Sequence, residues 1–249
     1  MKRIKAIIEY DGTLFHGFQY QKGNISTVQG LLGQTIHCIT GQNVTIHVAG
    51  RTDAGVHALG QVIHFDAEMR LSPFQLKEAL NHFLFRKGIG VVEMKEVNED
   101  FHARFSATWR MYEYRILNRR SPSPLLLNRV WHIPMDLDVE AMRQGARFLC
   151  GTHDFQSFRA AQCQGTTSIK TLDQFDLFQE GDMIKAIIRS KSFLHNQVRI
   201  MMGTLFLLGK KKWTLENLKN AMEAKKRSAS GPTAPPHGLY LKEVGYEMS

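Results

Sequence analysis

Along the chain, apolar residues change between a spacing of two and a spacing of three to four, and the changes mark out the elements. Lys2 to Tyr10 (KRIKAIIEY) is rich in isoleucine, alternates in part, and predicts a strand. Asp11 to Ile25 reads as a loop, punctuated by Gly12, Gly17 and the Gly23-Asn24 pair. Ser26-x-x-Gln29 has the form of a capping box, in which serine caps free N–H groups and glutamine reaches back. Behind it Val28, Leu31, Leu32, Thr35, Ile36 and Ile39 share one helical face. Val44 to Val48 and Gln61 to Phe65 are β-type runs separated by RTDAGVHALG. Ser72-Pro73-Phe74-Gln75 predicts a second helix start, with proline at the first position, where no N–H is needed. Leu76, Ala79, Leu80, Phe83 and Leu84 then mark its buried face, and Ile89 to Val97 predicts another strand. The order over this half is βαββαβ.

The second half repeats that order with longer elements. Thr108 to Asn118 predicts a strand, RRSPSPLLLN a connecting loop, and Val139 to Cys150 a helix with Met142, Ala146 and Leu149 on one face. Ser168 to Phe178 and Met183 to Phe193 predict two strands around the turn Gln179-Glu180-Gly181-Asp182. Helices are expected from about His195 to Leu208 and Thr214 to Ala224, and a closing strand over Leu239 to Tyr246. The expected class is α+β: two ferredoxin-like or RRM-like βαββαβ halves with mostly antiparallel sheets, divided into residues 1–105 and 106–249. Such a topology serves many functions and names none.

A length of 249 residues suits one large domain or two small ones, and 43% hydrophobic with 22% charged residues is ordinary for a globular chain. The longest nearly apolar run, Ile200 to Leu208, is far short of a membrane span. Met1-Lys2-Arg3 leads into alternating residues without an apolar core, so no secretory signal is expected. Cys38, Cys150 and Cys163 are odd in number and widely spaced, which suggests neither a disulfide framework nor a cysteine-rich zinc site. The expectation is a soluble, cytoplasmic protein. Charge adds more. Residues 1–100 hold ten basic and ten acidic side chains, so the whole net charge of +9 lies in residues 101–249. That asymmetry suits a surface meeting a polyanion, nucleic acid being the common case.

Several chemistries leave no trace. H-E-x-x-H is absent, as is H-x-E followed by P-C-x-x-C, which removes common zinc hydrolase and base-deaminase signatures. No Walker A loop, G-x-G-x-x-G or G-x-S-x-G occurs. Eleven histidines would allow a scattered metal site, but no pair has a persuasive spacing. The reading is a reaction without metal, nucleotide or redox cofactor, or no reaction.

Gly50-Arg51-Thr52-Asp53-Ala54-Gly55-Val56-His57-Ala58 lies between two predicted strands. Asp53 could simply hydrogen-bond its own backbone in a glycine-bounded loop. A carboxylate at a strand end beside an arginine could equally be a nucleophile or base. This string, with Gln61, His64 and Phe65 behind it, resembles the signature loop of the tRNA pseudouridine synthase A (TruA) family. The resemblance runs through Glu9-Tyr10-Asp11-Gly12-Thr13, Gly17-Phe18-Gln19 and Thr27-Val28-Gln29 to Phe101-His102-Ala103-Arg104-Phe105-Ser106-Ala107 and Tyr112-Glu113-Tyr114-Arg115. Gly151-x-His153-Asp154-Phe155, Phe193-Leu194-His195 with Val198-Arg199 and Gly203, and Ala234-Pro235-Pro236 continue it. Departures are modest: Gly33 where glutamate is frequent, Ile200 where asparagine is frequent, and Lys170 where arginine is common.

The resemblance implies the pseudouridine synthase fold and isomerisation of uridine to pseudouridine at positions 38, 39 and 40 of the tRNA anticodon stem-loop, with no cofactor. It implies that Asp53 is the essential carboxylate, acting by covalent attack or by abstracting a ribose proton. Arg199 matches the arginine that keeps this carboxylate ionised. Arg51 matches the residue filling the space of the extruded base, and Tyr112 the tyrosine stacking on it. Arg104, Arg110, Arg115, Arg119 and Arg120 around the tyrosines suit an RNA backbone, with only Glu113 opposing them. Lys210-Lys211-Lys212 and Lys225-Lys226-Arg227 read as solvated faces or accessory tRNA contacts. By the same resemblance the protein is a homodimer, with residues 106–249 completing the RNA-binding cleft. Competing readings are a non-catalytic RNA-binding protein and a synthase acting on another RNA.

Overall fold

The computed structural model describes residues 1–23, 25–68, 70–160 and 167–247. Asn24 of the first loop and Cys163 lie outside the described residues, and Cys38 and Cys150 are free thiols. In chain order the elements are β1 (Lys2–Tyr10), α1 (Val28–Thr40), β2 (His47–Val48), β3 (His57–Ala67), α2 (Pro73–Leu84), β4 (Ile89–Val97), β5 (Ala107–Asn118) and β6 (Trp131–Ile133). They continue as α3 (Val139–Leu149), β7 (Gly151–Asp154), β8 (Ile169–Glu180), β9 (Met183–Ser190), α4 (Gln197–Gly209), α5 (Leu215–Glu223) and β10 (Leu239–Tyr246). The chain is α+β with mostly antiparallel strand pairing. Contacts divide it into two compact units, Met1–Arg110 together with the segment from Tyr240, and Met111–Leu239. β10 thus counts with the first unit although it comes last, because it pairs in parallel with β3 through Tyr240↔His57 and Leu241↔Ala58.

In the first unit β1 runs antiparallel to both β3 and β4. Its alternation points Ile4, Ala6, Ile8 and Tyr10 inward, each at most 5% exposed. α1 adds Val28, Leu32 and Ile36 to the core and α2 adds Leu76, Leu80 and Leu84. Each such buried leucine or isoleucine contributes about 1.5–3 kcal/mol. Phe83, placed on the buried face by spacing, is half exposed, since the stripe of α2 narrows to positions four apart. The capping box at Ser72 forms as written, Ser72 N donating to Gln75 Oε1 (2.9 Å) and Gln75 N to Ser72 Oγ (3.2 Å). The one at Ser26 does not. Thr27 caps α1, accepting from Gly30 N, while Gln29 accepts from Tyr20 N (2.9 Å) and donates to Ile46 O (3.1 Å). Of Val44 to Val48 only β2 is strand, whereas β3 starts earlier than expected, inside the RTDAGVHALG segment.

The second unit orders its sheet β5-β9-β8-β7, with the short β6 parallel to β5. β8 and β9 form the expected hairpin, turning at Gly181 with φ of +56°. β6 and β7, too short to show a period, were not legible as strands. α3 packs on β8 and against α4 and α5. Gly145 allows the close approach, since a Cβ there would lie 2.6 Å from Leu205 Cδ2. α4 is buried on nearly all sides, and Ile200 is fully buried, so this departure is a packing residue.

Candidate active site

The Asp53 loop is a tight turn with another loop pressed onto it. Val56 N donates to Asp53 O (3.1 Å), and Gly55 takes φ of +78° to close the turn. The segment Gly12 to Phe18 lies against this turn, backbone to backbone. A Cβ on Gly12 would sit 2.0 Å from Val56 O, and one on Gly17, whose φ is +95°, 3.0 Å from Thr52 O. Glycine at these positions therefore does more than punctuate a loop. Phe18 N donates to Thr52 O (3.1 Å), Gly55 N to Phe15 O (3.4 Å), and Gly12 N to His57 Nδ1 (3.1 Å).

Beneath the turn runs a buried polar chain. Tyr10 and Thr52 hydroxyls are 2.7 Å apart, and Gln61 Nε2 donates to Gly50 O (2.7 Å) and towards the Tyr10 oxygen (3.3 Å). Burial pushes the Tyr10 phenol up to about 12, the bonds to Thr52 and Gln61 acting against it. Arg110 fastens the approach to the turn, donating to Ala49 O (3.0 Å), Arg104 O (2.6 Å) and Ala107 O (3.3 Å). Its guanidinium is engaged with the protein's own carbonyls, which corrects its reading as a backbone-binding arginine. On this scaffold Asp53 is half-buried and Arg51 is exposed. Tyr10, Gln61 and Arg110 escape motif reading as loop supports because each is bonded to a group remote in sequence: the Tyr10–Thr52, Gln61–Tyr10 and Ala49–Arg110 bonds span 42, 51 and 61 residues.

Tyr112 and Arg199 belong to the second unit. Tyr112, half-buried on β5, meets Phe193 edge-on with ring centroids 5.1 Å apart. Tyr114, two residues on and on the same side of the strand, is fully buried and donates to Pro235 O (2.8 Å). Only the first of the two is placed to meet a ligand. Arg199 on α4 donates from Nε to Ala234 O (2.8 Å) and from one terminal nitrogen to Asn196 Oδ1 (2.9 Å). Ala234 N donates back to Arg199 O (3.0 Å), so the Ala234-Pro235-Pro236 ending fixes both backbone and guanidinium. Gly203, one turn along, allows this approach: a Cβ there would lie 1.8 Å from Pro232 O.

The other basic residues divide. Arg115 pairs with the buried Glu113 (2.6 Å), and Arg119 reaches Ser121 O and Asp182, so Glu113 is not the only opposing carboxylate. Arg104 and Arg120 are exposed. In the lysine runs, Lys225 pairs with Asp154 (3.1 Å), Lys211 with Asp138 (3.6 Å), and Arg227 binds Ser230, Gly231 and Thr233.

Among the described residues one group of ligand-type side chains comes together: His47, His64 and His102, with ligand atoms within 4.8 Å of one another. Sequence spacing did not reveal it. Its geometry does not suit a cation. His64 Nδ1 accepts from Ala103 N (3.1 Å), and His102 Nδ1 from Arg104 N (3.1 Å) and Phe105 N (3.3 Å). The other ring nitrogen of each neutral imidazole then carries the hydrogen, whereas a metal-bound ring offers a bare nitrogen to the ion and an N–H to an acceptor. His47 and His64 are also stacked, 4.6 Å apart at 13°, so their in-plane lone pairs run side by side and do not converge.

Comparison with known proteins follows the same residues. The profile of a family described as tRNA pseudouridine synthase matches residues 6–106 and 146–247. The chain is 47% identical over 249 residues to tRNA pseudouridine synthase A of Paramagnetospirillum magneticum, covering 100% of this chain and 97% of the relative. It is 49% identical to the protein of that name from Afipia carboxidovorans, covering 99% of this chain and 100% of the relative. The Anaplasma phagocytophilum protein of that name is 45% identical, covering 98% of this chain and 100% of the relative.

Proposed function

The chain belongs to the tRNA pseudouridine synthase family, and from that membership we propose that it isomerises uridine to pseudouridine at positions 38, 39 and 40, on the 3′ side of the tRNA anticodon stem-loop. In that reaction the bond from N1 to the ribose C1′ breaks, the uracil turns, and C5 bonds to the same carbon. C5 loses a proton and N1 gains one, so product and substrate have the same atoms and oxidation state.

We assign Asp53 the essential role, as an ionised carboxylate acting on the ribose by attack at C1′ or by removal of a proton. The observation that carries this reading is the Gly50–Val56 turn, whose backbone is bonded or packed on several sides while Asp53 itself stays half-buried. Rigid support of that kind is what a reacting group needs. Arg199 is assigned to keep the carboxylate ionised, since a guanidinium opposes the effect of desolvation. A base within a stem must leave the stack, at about a few kcal/mol. Arg51, exposed beside Asp53, is assigned to the vacated space and Tyr112 to the face of the flipped uracil. We further infer a cytoplasmic homodimer, with each tRNA spanning both subunits. Among the described residues no helix is long and apolar enough to cross a membrane.

Mapping pseudouridine in tRNA from cells lacking this protein tests the assignment. Uridine at all three positions is the expected result. Full pseudouridine at positions 38, 39 and 40 would overturn it.

A further inference from the structure

We propose that Tyr10, acting through Thr52 and together with Gln61, is a positioning residue for Asp53. The inference rests on the reading of Asp53 as the reacting carboxylate. The three side chains form one hydrogen-bonded chain. Gln61 Nε2 gives one hydrogen to Gly50 O (2.7 Å) and directs the other at the Tyr10 oxygen (3.3 Å). The phenol shares a further hydrogen bond with the Thr52 hydroxyl (2.7 Å). All three residues are buried, at 5% exposure or less for Tyr10 and Gln61 and 7% for Thr52. Burial keeps the phenol protonated up to about 12, so the chain persists across neutral pH.

Two of these bonds end on the segment just before Asp53, at Gly50 O and Thr52 Oγ1. Gly50 O and Thr52 Oγ1 are held from below, while Thr52 O takes Phe18 N (3.1 Å) from the other side. The direction in which Asp53 leaves the turn is thereby set through the backbone that precedes it. The amide of Gln61 shows that the arrangement is not chosen for packing alone. Its Oε1 is buried and, among the described residues, without a hydrogen-bond partner. A leucine of similar size would avoid that unfavourable atom. It could not donate to Gly50 O or to Tyr10, and those donations are what the glutamine supplies.

The experiment compares Tyr10→Phe, Thr52→Val, their combination and Gln61→Leu with the wild type. Single-turnover pseudouridine formation is measured at saturating tRNA, with tRNA affinity and thermal melting alongside. Both Tyr10→Phe and Thr52→Val keep size and shape. We expect each to slow the chemical step by about tenfold to a hundredfold, as misplacement of a reacting group by a fraction of an ångström to one ångström does. Affinity should stay within about twofold, and Gln61→Leu should behave alike. The double variant should be no more than about twofold slower than the slower single variant, because both remove the same bond. A wild-type rate for Tyr10→Phe, losses that multiply in the double variant, or a loss confined to affinity would overturn the positioning role. Absence of product from the wild-type protein would instead overturn the assigned reaction.

Discussion

Acidification should weaken the fold through His64. This ring is 2% exposed, and burial first, then the charges of His47, His102 and Arg3, push its pKa down to about 4, with Asp66 opposing. An ordinary histidine titrates near about 6.5. The backbone agrees with a neutral ring, since Ala103 N donates to Nδ1 (3.1 Å), a bond that protonation of that nitrogen would abolish. In the unfolded chain the ring takes up its proton near about pH 6.5, whereas in the folded protein it does so only near about pH 4. Between those values the unfolded state binds more protons. The contribution is therefore complete above about pH 6.5 and is lost as pH falls towards about 4. The gap corresponds to about 3 kcal/mol. Urea denaturation of the wild type and His64→Asn near about pH 7.5 and about pH 4.5 measures it, the asparagine offering Ala103 N an acceptor that does not titrate. The stability difference between the two proteins should shrink by about 2–3 kcal/mol on acidification. The same pH dependence in both proteins would refute the reasoning.

Asp53→Asn keeps the shape of the side chain but is neither nucleophile nor base, so it should lower single-turnover pseudouridine formation by at least about a thousandfold, with melting and tRNA affinity near wild type. Appreciable turnover by the folded variant would remove the catalytic assignment. Tyr112→Ala should weaken binding of the flipped base by about 1–3 kcal/mol while Tyr112→Phe retains the stacking face, a difference readable in tRNA affinity. Equal, negligible effects would leave Tyr112 as a packed strand residue. Gly33 lies within α1, and a Cβ there would meet nothing within 4 Å. Gly33→Ala should stabilise the protein by about 0.5–1 kcal/mol and raise the melting temperature by about 1–4 °C, and a lower melting temperature would contradict the open space seen there.

What could be read from the chain was what depends on near neighbours. The strand period of Lys2–Tyr10, the box at Ser72 and Gln75, and the alternation of strands and helices are decided within a turn or two of backbone, and the structure has them. The Asp53 string was legible for a different reason, its resemblance to a family whose members match over the full length. Local signals misled where a distant group competed for the same atom. Ser26 and Gln29 have the spacing of a capping box, yet Gln29 is taken by Tyr20 and Ile46, so Thr27 caps the helix.

Tertiary structure alone decided the surroundings of each site residue. The support beneath Asp53 needs β1 and β3 side by side, which brings Tyr10 to Thr52 and Gln61 across separations of 42 and 51 residues. His47 meets His64 because β2 pairs with β3 in one register, and the loop before β5 adds His102. Burial then separated residues that looked alike in sequence: Tyr114 became core and Tyr112 did not, and Arg110 bound carbonyls while Arg104 stayed exposed. Residue type and spacing determined which groups were available for chemistry. Strand register and burial, set by contacts remote in sequence, determined which of them are held in place and in which state of charge.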